Sequence, residues 1–233
     1  MEKKPDWQEE LDANYARKSI LDRLHLSLGE ISELGIGWII SCAVIVYIYY
    51  ADSILIEGRI SDELILFFFV FGFSFFTHEL AHKFTAIRYG ARAYYRLAKE
   101  ALMMTLISII IRFPILATGA VFWWGEATAS TGLRGRVSLA GPISNIILAG
   151  FFMLMQGLGW FLIESTPEVA IMIIIIGSMG VGLNIFLALF NLLPIGVLDG
   201  AKVLDWEPRI WTAVFGLCIS LLILDAVLPL FIN

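Results

Sequence analysis

Five long apolar runs dominate this sequence and constrain its fold more than any other feature. They cover approximately residues 34–51, 64–87, 137–163, 169–193 and 210–232. Each run is close to or above the ~20 residues that a helix needs to cross the hydrocarbon core of a bilayer. Hydrophobic residues make up 59% of the 233-residue chain, whereas soluble domains contain about 45–50%. The sequence therefore predicts an all-α membrane protein with about five transmembrane helices.

A sixth apolar run, residues 101–124, is interrupted by Arg112, Pro114 and Gly119. Proline disfavours a continuous helix, and the β-branched and aromatic residues around it favour strands. Irregular backbone at membrane depth is tolerated only where protein or a wet cavity satisfies its polar groups. We therefore expect residues 101–124 to form a re-entrant, membrane-embedded hairpin beside the functional site, turning at Thr118 and Gly119.

The distribution of basic residues favours this five-span topology. If residues 101–124 do not cross, one side of the membrane holds nearly all lysine and arginine residues and the other holds Arg59. The residues on the first side are Lys3, Lys4, Arg17, Lys18, Arg23, Lys83, Arg88, Arg92, Arg96, Lys99, Arg134, Arg136, Lys202 and Arg209. Because cytoplasmic loops are enriched in basic residues, we expect this side, with the N-terminus, to be cytosolic.

The N-terminal segment, residues 1–32, is polar and charged. It has no apolar stretch followed by small residues, so we expect no cleaved signal peptide and expect the first span to direct insertion. Its apolar residues between Trp7 and Leu24 could form one face of an interfacial helix, and a solvated amphipathic tail fits the segment equally well. Residues 33–233 are predicted to form one polytopic membrane domain.

Charge and cysteine content argue against a nucleic-acid partner and against sites built from cysteine. The net charge of -5 provides no basic stripe of the kind that neutralises nucleic-acid phosphates, so no nucleic-acid partner is expected. Cys42 and Cys218 both lie in apolar stretches, where a thiol usually behaves as a small buried hydrophobe. Neither a disulfide framework nor a cysteine zinc site is indicated.

The second apolar run ends in the motif HELAH, in which His78 and His82 lie four residues apart. On a helix this spacing places both imidazoles on one face, with Glu79 beside the first. Such a pair can bind one zinc ion while the glutamate takes a proton from water. A lone histidine in an apolar helix is more often structural, but ionisable groups within a span are costly enough to indicate a function. The motif predicts one Zn²⁺ per chain, with Glu79 as the catalytic base.

A catalytic zinc site needs a third protein ligand and an open fourth position. His25 lies in the polar N-terminal segment, so we expect a carboxylate from another span. The preferred candidate is Asp199, because five spans place it on the same side as HELAH. The alternatives are Glu126, Glu164 and Asp225. Small residues at 177–182 would let the fourth run approach the metal-binding helix closely.

A further polar cluster opens the third long run, at LAGPISNIILAG (residues 139–150). Pro142 suits the first turn of a helix, and Asn145 places an amide within the bilayer. A structural hydrogen bond between helices and a functional role both fit this amide.

The motifs HELAH, AGPISN and NLLPIGVLDG, in this order, resemble the site-2 protease family of intramembrane metalloproteases, over roughly residues 64–205. The resemblance implies zinc ligands at His78, His82 and Asp199. It also implies that Glu79 is the general base, and that Asn145 and Asn191 bind the substrate backbone or stabilise the oxyanion. Residues 101–124 would correspond to the membrane-embedded hairpin of that family.

The resemblance implies an activity with defined partners. The substrate would be a transmembrane protein in the lipid bilayer, cleaved at a peptide bond within or next to its transmembrane segment. A non-catalytic protein of the same fold that binds partner transmembrane helices is the main alternative. A metal transporter is a third possibility, but its polar residues should follow a path across the membrane, whereas these candidates cluster at one depth.

Overall fold

The computed structural model describes residues 23–57, 61–116, 118–124 and 130–227. Its elements are the helices α1 (Leu28–Glu57) and α2 (Asp62–Arg88), strand β1 (Arg92–Leu97), helix α3 (Lys99–Ile111), strand β2 (Gly119–Trp124), and the helices α4 (Thr131–Leu162), α5 (Pro167–Asn191), α6 (Asp199–Trp206) and α7 (Pro208–Val227). Residues 1–22 of the polar N-terminal segment, Arg59 and the alternative ligand Glu126 lie outside the described residues.

Five helices, α1, α2, α4, α5 and α7, are long and apolar enough to cross a membrane. They match the five predicted runs. On α4, Leu154 and Phe161 expose 76% and 83% of their surface, as expected where apolar side chains face lipid. The prediction of a helical, multi-pass membrane protein is confirmed.

Residues 101–124 do not form a sixth transmembrane helix. Helix α3 has 13 residues, which at 1.5 Å per residue span about 20 Å, short of the ~30 Å hydrocarbon core. It ends at Arg112, whose backbone is left-handed with φ of 52°, and Pro114 cannot continue a helix. The predicted turn at Thr118 and Gly119 is wrong, because Gly119 already begins β2.

Strand β2 pairs antiparallel with β1, with Leu97 opposite Gly119. Strand β1 lies in the segment that the sequence analysis treated as a basic connection. Helix α1 occupies its other edge, where the backbone N–H of Tyr95 donates to Glu30 Oε1 (2.9 Å) and that of Leu97 donates to Glu33 Oε2 (2.8 Å). The sheet therefore has its remaining edge at β2.

The carboxylate of Glu30 also binds Lys83, which follows His82 on α2. Lys83 Nζ lies 2.6 Å from Glu30 Oε1, and both side chains are buried. A buried ion pair is stable only when its remaining polar atoms are satisfied, and here the N–H of Tyr95 contributes to that. Lys83, assigned above to the basic side, thus carries no exposed charge.

Helix α4 begins at Thr131, six residues before its predicted start, with Ser130 as its N-cap. Arg136 in its second turn is accommodated because the guanidinium carbon lies over the Trp206 ring, 5.7 Å from its centroid. Pro142 consequently lies inside the helix, and the prediction that it occupies the first turn is wrong.

The small residues of α5 pack against α4. A Cβ on Gly177 would lie 2.8 Å from the backbone nitrogen of Gln156, and one on Gly180 would lie 2.2 Å from the Phe152 ring. The fourth run does contact the metal-binding helix, as predicted, since Val181 and Val70 lie in one buried cluster, but Gly177 and Gly180 themselves face α4. Their close approach instead holds α5 against α4, the helix that carries Asn145.

Replacing Gly177 with alanine should push α4 and α5 apart and destabilise the protein by about 1–3 kcal/mol, as overpacking typically does. The matched control is Gly182→Ala on the same helix, where a Cβ has open space and should be neutral or raise stability by about 0.5–1 kcal/mol. Thermal unfolding of both purified variants in detergent measures the difference. Equal melting temperatures would contradict this account of the packing.

Candidate metal centre

Helix α2 brings the two histidines of HELAH together. Their one-turn spacing places His78 Nε2 3.0 Å from His82 Nε2. Both side chains are buried. The helix thus presents two imidazole nitrogens at one point, as the sequence predicts.

Asp199 reaches the same point from another part of the chain. It is the first residue of α6, which follows a short segment with turns after the end of α5. Its Oδ2 lies 3.1 Å from His82 Nε2 and 3.5 Å from His78 Nε2. The loop before it is fixed by Trp211, whose indole nitrogen donates to the backbone oxygen of Leu192 (2.8 Å). The structure therefore joins the preferred carboxylate to the histidine pair.

The outer nitrogens of both imidazoles are engaged. His82 Nδ1 is 2.7 Å from the backbone oxygen of Val137, and His78 Nδ1 is 2.6 Å from Asn145 Oδ1. Because both partners accept hydrogen bonds, each Nδ1 carries the proton and each Nε2 offers a lone pair. Two lone pairs and a carboxylate oxygen repel one another unless a cation lies among them.

This donor set fits zinc. A tetrahedral zinc ion with bonds of ~2.0–2.1 Å holds its ligand atoms about 3.3 Å apart. The three pairs of atoms here are 3.0, 3.1 and 3.5 Å apart. His78, His82 and Asp199 could therefore hold one metal ion.

Glu79 lies beside these ligands and is itself buried. Within the described part of the chain, its Oε2 has no hydrogen-bond partner. A buried carboxylate oxygen left unpaired is costly. Glu79 therefore has a free acceptor at the centre, as a residue that takes a proton from water requires.

The ligands open onto a cavity of about 720 Å³. Its wall is formed by α2, α3, β2, α4 and the segment from α5 to α6. Glu79 and Asn191 both lie on this wall, as do the basic residues Arg134 and Lys202. A cavity of this size can admit an extended peptide segment to the metal ligands.

The two predicted asparagines occupy different positions. Asn191 lies on the cavity wall, and its amide nitrogen donates to Leu187 of its own helix (2.9 Å). Asn145 is fully buried behind His78, and its amide nitrogen donates to Asn184 Oδ1 (2.8 Å). Their proposed roles in binding substrate or the oxyanion stay predictions.

The sequence analysis missed Asn184 and Ser74, which form the layer behind Asn145. Asn184 is fully buried, and its amide nitrogen donates to Ser74 Oγ (2.8 Å). A signal was present, since an amide buried in an apolar span is costly unless it is hydrogen-bonded. Neither residue falls within the three motifs.

Gly141 of α4 closes the back of the centre. A Cβ at this position would lie 2.4 Å from His82 Nε2 and 2.5 Å from His78 Nε2. Any side chain at position 141 would therefore overlap the two ligand nitrogens. The glycine of AGPISN makes room for the centre itself.

Comparison with known proteins also points to zinc. The chain is 35% identical over 147 residues to Putative zinc metalloprotease MJ0611 of Methanocaldococcus jannaschii, a match covering 63% of this chain and 72% of that protein. It is also 35% identical over 147 residues to Putative zinc metalloprotease YwhC of Bacillus subtilis, where the match covers 57% of this chain and 64% of the relative. No family model and no solved structure matches the chain.

Gly141→Ala should reduce zinc binding, because the added methyl group would displace the two imidazoles from their common point. The effect should reach about 10–100-fold in affinity, the range found when groups that orient metal ligands are altered. Gly150→Ala on the same helix, where a Cβ meets nothing within 4 Å, is the control. Zinc content after dialysis at fixed free zinc provides the measurement. Unchanged zinc in Gly141→Ala would show that the centre does not use this space.

Proposed function

Because this chain belongs to the zinc metalloprotease family of MJ0611, we propose that it is an intramembrane zinc protease of the site-2 protease type. Its reaction would be hydrolysis of a peptide bond within or next to a transmembrane segment of a membrane-protein substrate. One observation carries the proposal. A metal-ligand triad and a buried glutamate with a free oxygen share one cavity in a protein whose long helices can cross a membrane.

The residues divide the chemistry between them. His78, His82 and Asp199 would hold zinc, which supplies a Lewis acid that polarises a peptide carbonyl and lowers the pKa of water toward ~7. Glu79 takes a proton from the attacking water through its free oxygen. It then returns the proton to the nitrogen of the leaving amine as the C–N bond breaks.

The number of protein ligands favours catalysis over a structural role for the metal. Structural zinc sites usually have four protein ligands, whereas catalytic sites have three and keep the fourth position open. Among the described residues, three groups of the ligating type converge here. The alternative, a protein that binds partner helices without cleaving them, gives no reason for the free oxygen of Glu79.

The substrate must be unwound before it can react, because the hydrogen bonds of a helix shield its peptide groups. Strand β2 borders the cavity and could bind the unwound segment as an additional strand. The N–H of Tyr95 on β1 faces α1, away from β2. In an antiparallel pair, two opposite residues either both point their N–H and C=O groups toward each other or both point them away. Val121 lies opposite Tyr95, so its N–H and C=O face the edge of β2 that is turned away from β1.

We further propose that the site opens toward the cytosolic side. Arg134 and Lys202 lie on the cavity wall and belong to the basic side defined above. Positive residues accumulate on the cytoplasmic side of membrane proteins. Water and the unwound segment would then both enter from the cytosol.

Glu79→Gln should keep zinc and lose cleavage by about 10²–10⁴-fold, the usual contribution of a general base. Glutamine keeps the size of the side chain but cannot accept the water proton. The measurement compares bound zinc and cleavage of a model transmembrane substrate by purified protein in detergent. Glu168→Gln, at the exposed start of α5, is the control. Cleavage that persists undiminished in Glu79→Gln would rule out Glu79 as the base.

Val121→Pro should lower cleavage at least about 3-fold, since it removes one outward N–H and a hydrogen bond is worth about 0.5–1.5 kcal/mol. Zinc content should not change, because the pairing of β1 with β2 does not use this N–H. Val121→Ala keeps the N–H while shortening the side chain, so it should cleave nearly as well as the unmodified protein. Equal loss of zinc and cleavage in Val121→Pro would refute strand addition.

A further inference from the structure

A chain of buried amides lies behind His78 and connects three helices. Asn145 of α4 contacts His78, and Asn184 of α5 contacts both Asn145 and Ser74 of α2. Ser74, Asn145 and Asn184 each expose 0% of their surface. Such a network is costly to bury unless every group is paired, so its arrangement needs an explanation.

We propose that Asn184 is a positioning residue for the zinc site: it fixes which way the amide of Asn145 points, and thereby which nitrogen of His78 is left to bind metal. The proposal rests on the proposed function only in requiring a metal at this triad.

The direction of each amide follows from a backbone group that cannot change its role. The carbonyl of Gly180 can only accept, and it lies 2.8 Å from Asn184 Nδ2. With its nitrogen there, Asn184 must present Oδ1 to its other neighbour, Asn145, 2.8 Å away. Asn145 therefore donates with Nδ2, at 2.8 Å to Asn184 Oδ1 and at 3.4 Å to the backbone oxygen of Ser74, and presents Oδ1 to His78.

The last step reaches the metal ligand. Because Asn145 Oδ1 accepts from His78 Nδ1 (2.6 Å), the proton of the neutral imidazole must sit on Nδ1. His78 Nε2 then keeps its lone pair for the metal. The orientation set at Gly180 is thus transmitted through two side chains to the ligand atom.

The second histidine shows why such a relay is needed for the first. His82 Nδ1 donates to the carbonyl of Val137, which can act only as an acceptor. A side-chain amide, by contrast, can rotate and exchange its acceptor for a donor. If Asn145 rotated, its amide group would face His78 Nδ1 and favour the tautomer with the proton on Nε2, which cannot bind metal.

Asn184→Leu removes the nearer of the two acceptors that orient Asn145 and leaves the 3.4 Å contact with the backbone oxygen of Ser74. Zinc affinity, measured in detergent by competition with a chromophoric chelator, should fall about 10–100-fold, as is typical for loss of an outer partner of a metal ligand. Asn184→Ala, tested in parallel, removes the same amide without adding methyl groups. Asn184→Asp should retain affinity, because a buried acid stays neutral, donating to Gly180 and accepting from Asn145.

A double variant separates positioning from packing. Asn145→Asp would face the N–H of an imidazole that binds a cation, which favours the ionised carboxylate, so both of its oxygens accept and either orientation accepts from His78. Adding Asn184→Leu to Asn145→Asp should therefore change zinc affinity by less than about 3-fold, well below the 10–100-fold loss of the single variant. If Asn184→Leu lowers zinc affinity by the same factor in Asn145→Asp as in the unmodified protein, Asn184 acts by packing and the proposal is overturned. Wild-type affinity in Asn184→Leu would also overturn it.

The control lies on the same pair of helices. Gln156 Nε2 of α4 donates to Ser178 Oγ of α5 (2.6 Å), but eleven residues from Asn145, or about 16 Å along the helix. Gln156→Leu should leave zinc affinity unchanged, and a loss equal to that of Asn184→Leu would count against the relay. These affinities do not depend on cleavage, so a protein that binds zinc without cleaving substrates would refute the proposed function and still test this proposal.

Discussion

Three atoms with lone pairs meet inside an apolar bundle, and the rest of the structure depends on that meeting. The Nε2 atoms of His78 and His82 and a carboxylate oxygen of Asp199 lie 3.0–3.5 Å apart, an arrangement that is unfavourable without a cation. Helix α2 supplies two of the atoms through its periodicity. The third comes from Asp199, which the turns after α5 place at the start of α6 and beside the two histidines. Gly141 lets the backbone of α4 lie directly against the two imidazoles.

Most buried polar groups near this centre have hydrogen-bond partners. Asn145, Asn184 and Ser74 satisfy one another behind His78, and Glu30 joins Lys83 to the backbone of β1. These contacts tie the metal-binding helix to α1, α4, α5 and the sheet. Glu79 stands apart, since its buried Oε2 has no partner among the described residues. A single unsatisfied acceptor in an otherwise paired surrounding is what one expects of a group reserved for a reacting molecule.

The sequence predicted correctly the features that follow from one local property of the chain. Length and hydropathy predict the five long helices, and the four-residue spacing predicts that His78 and His82 face one point. Topology and charge select Asp199. The errors arose where distant contacts override local pattern. The charge of Arg136 placed the predicted start of α4 too late, because the contact of Arg136 with Trp206 is not visible in the local sequence. Strand β1 was not predicted, because it depends on pairing with β2 and on the carboxylates of α1. The small residues of α5 predicted a close contact but could not say with which helix. Asn184 was missed because its contacts are with Asn145 and Ser74, which lie on two other helices.

The carboxylates of Glu30 and Glu33 also affect whether copies of this protein can associate through their strands. Unpaired strand edges are sites where separate chains join and aggregate. By occupying the N–H groups of Tyr95 and Leu97, α1 blocks edge-to-edge association through β1. Among the described residues the edge left to this sheet is that of β2, which borders the cavity, so any strand that adds to the sheet would lie beside the metal ligands.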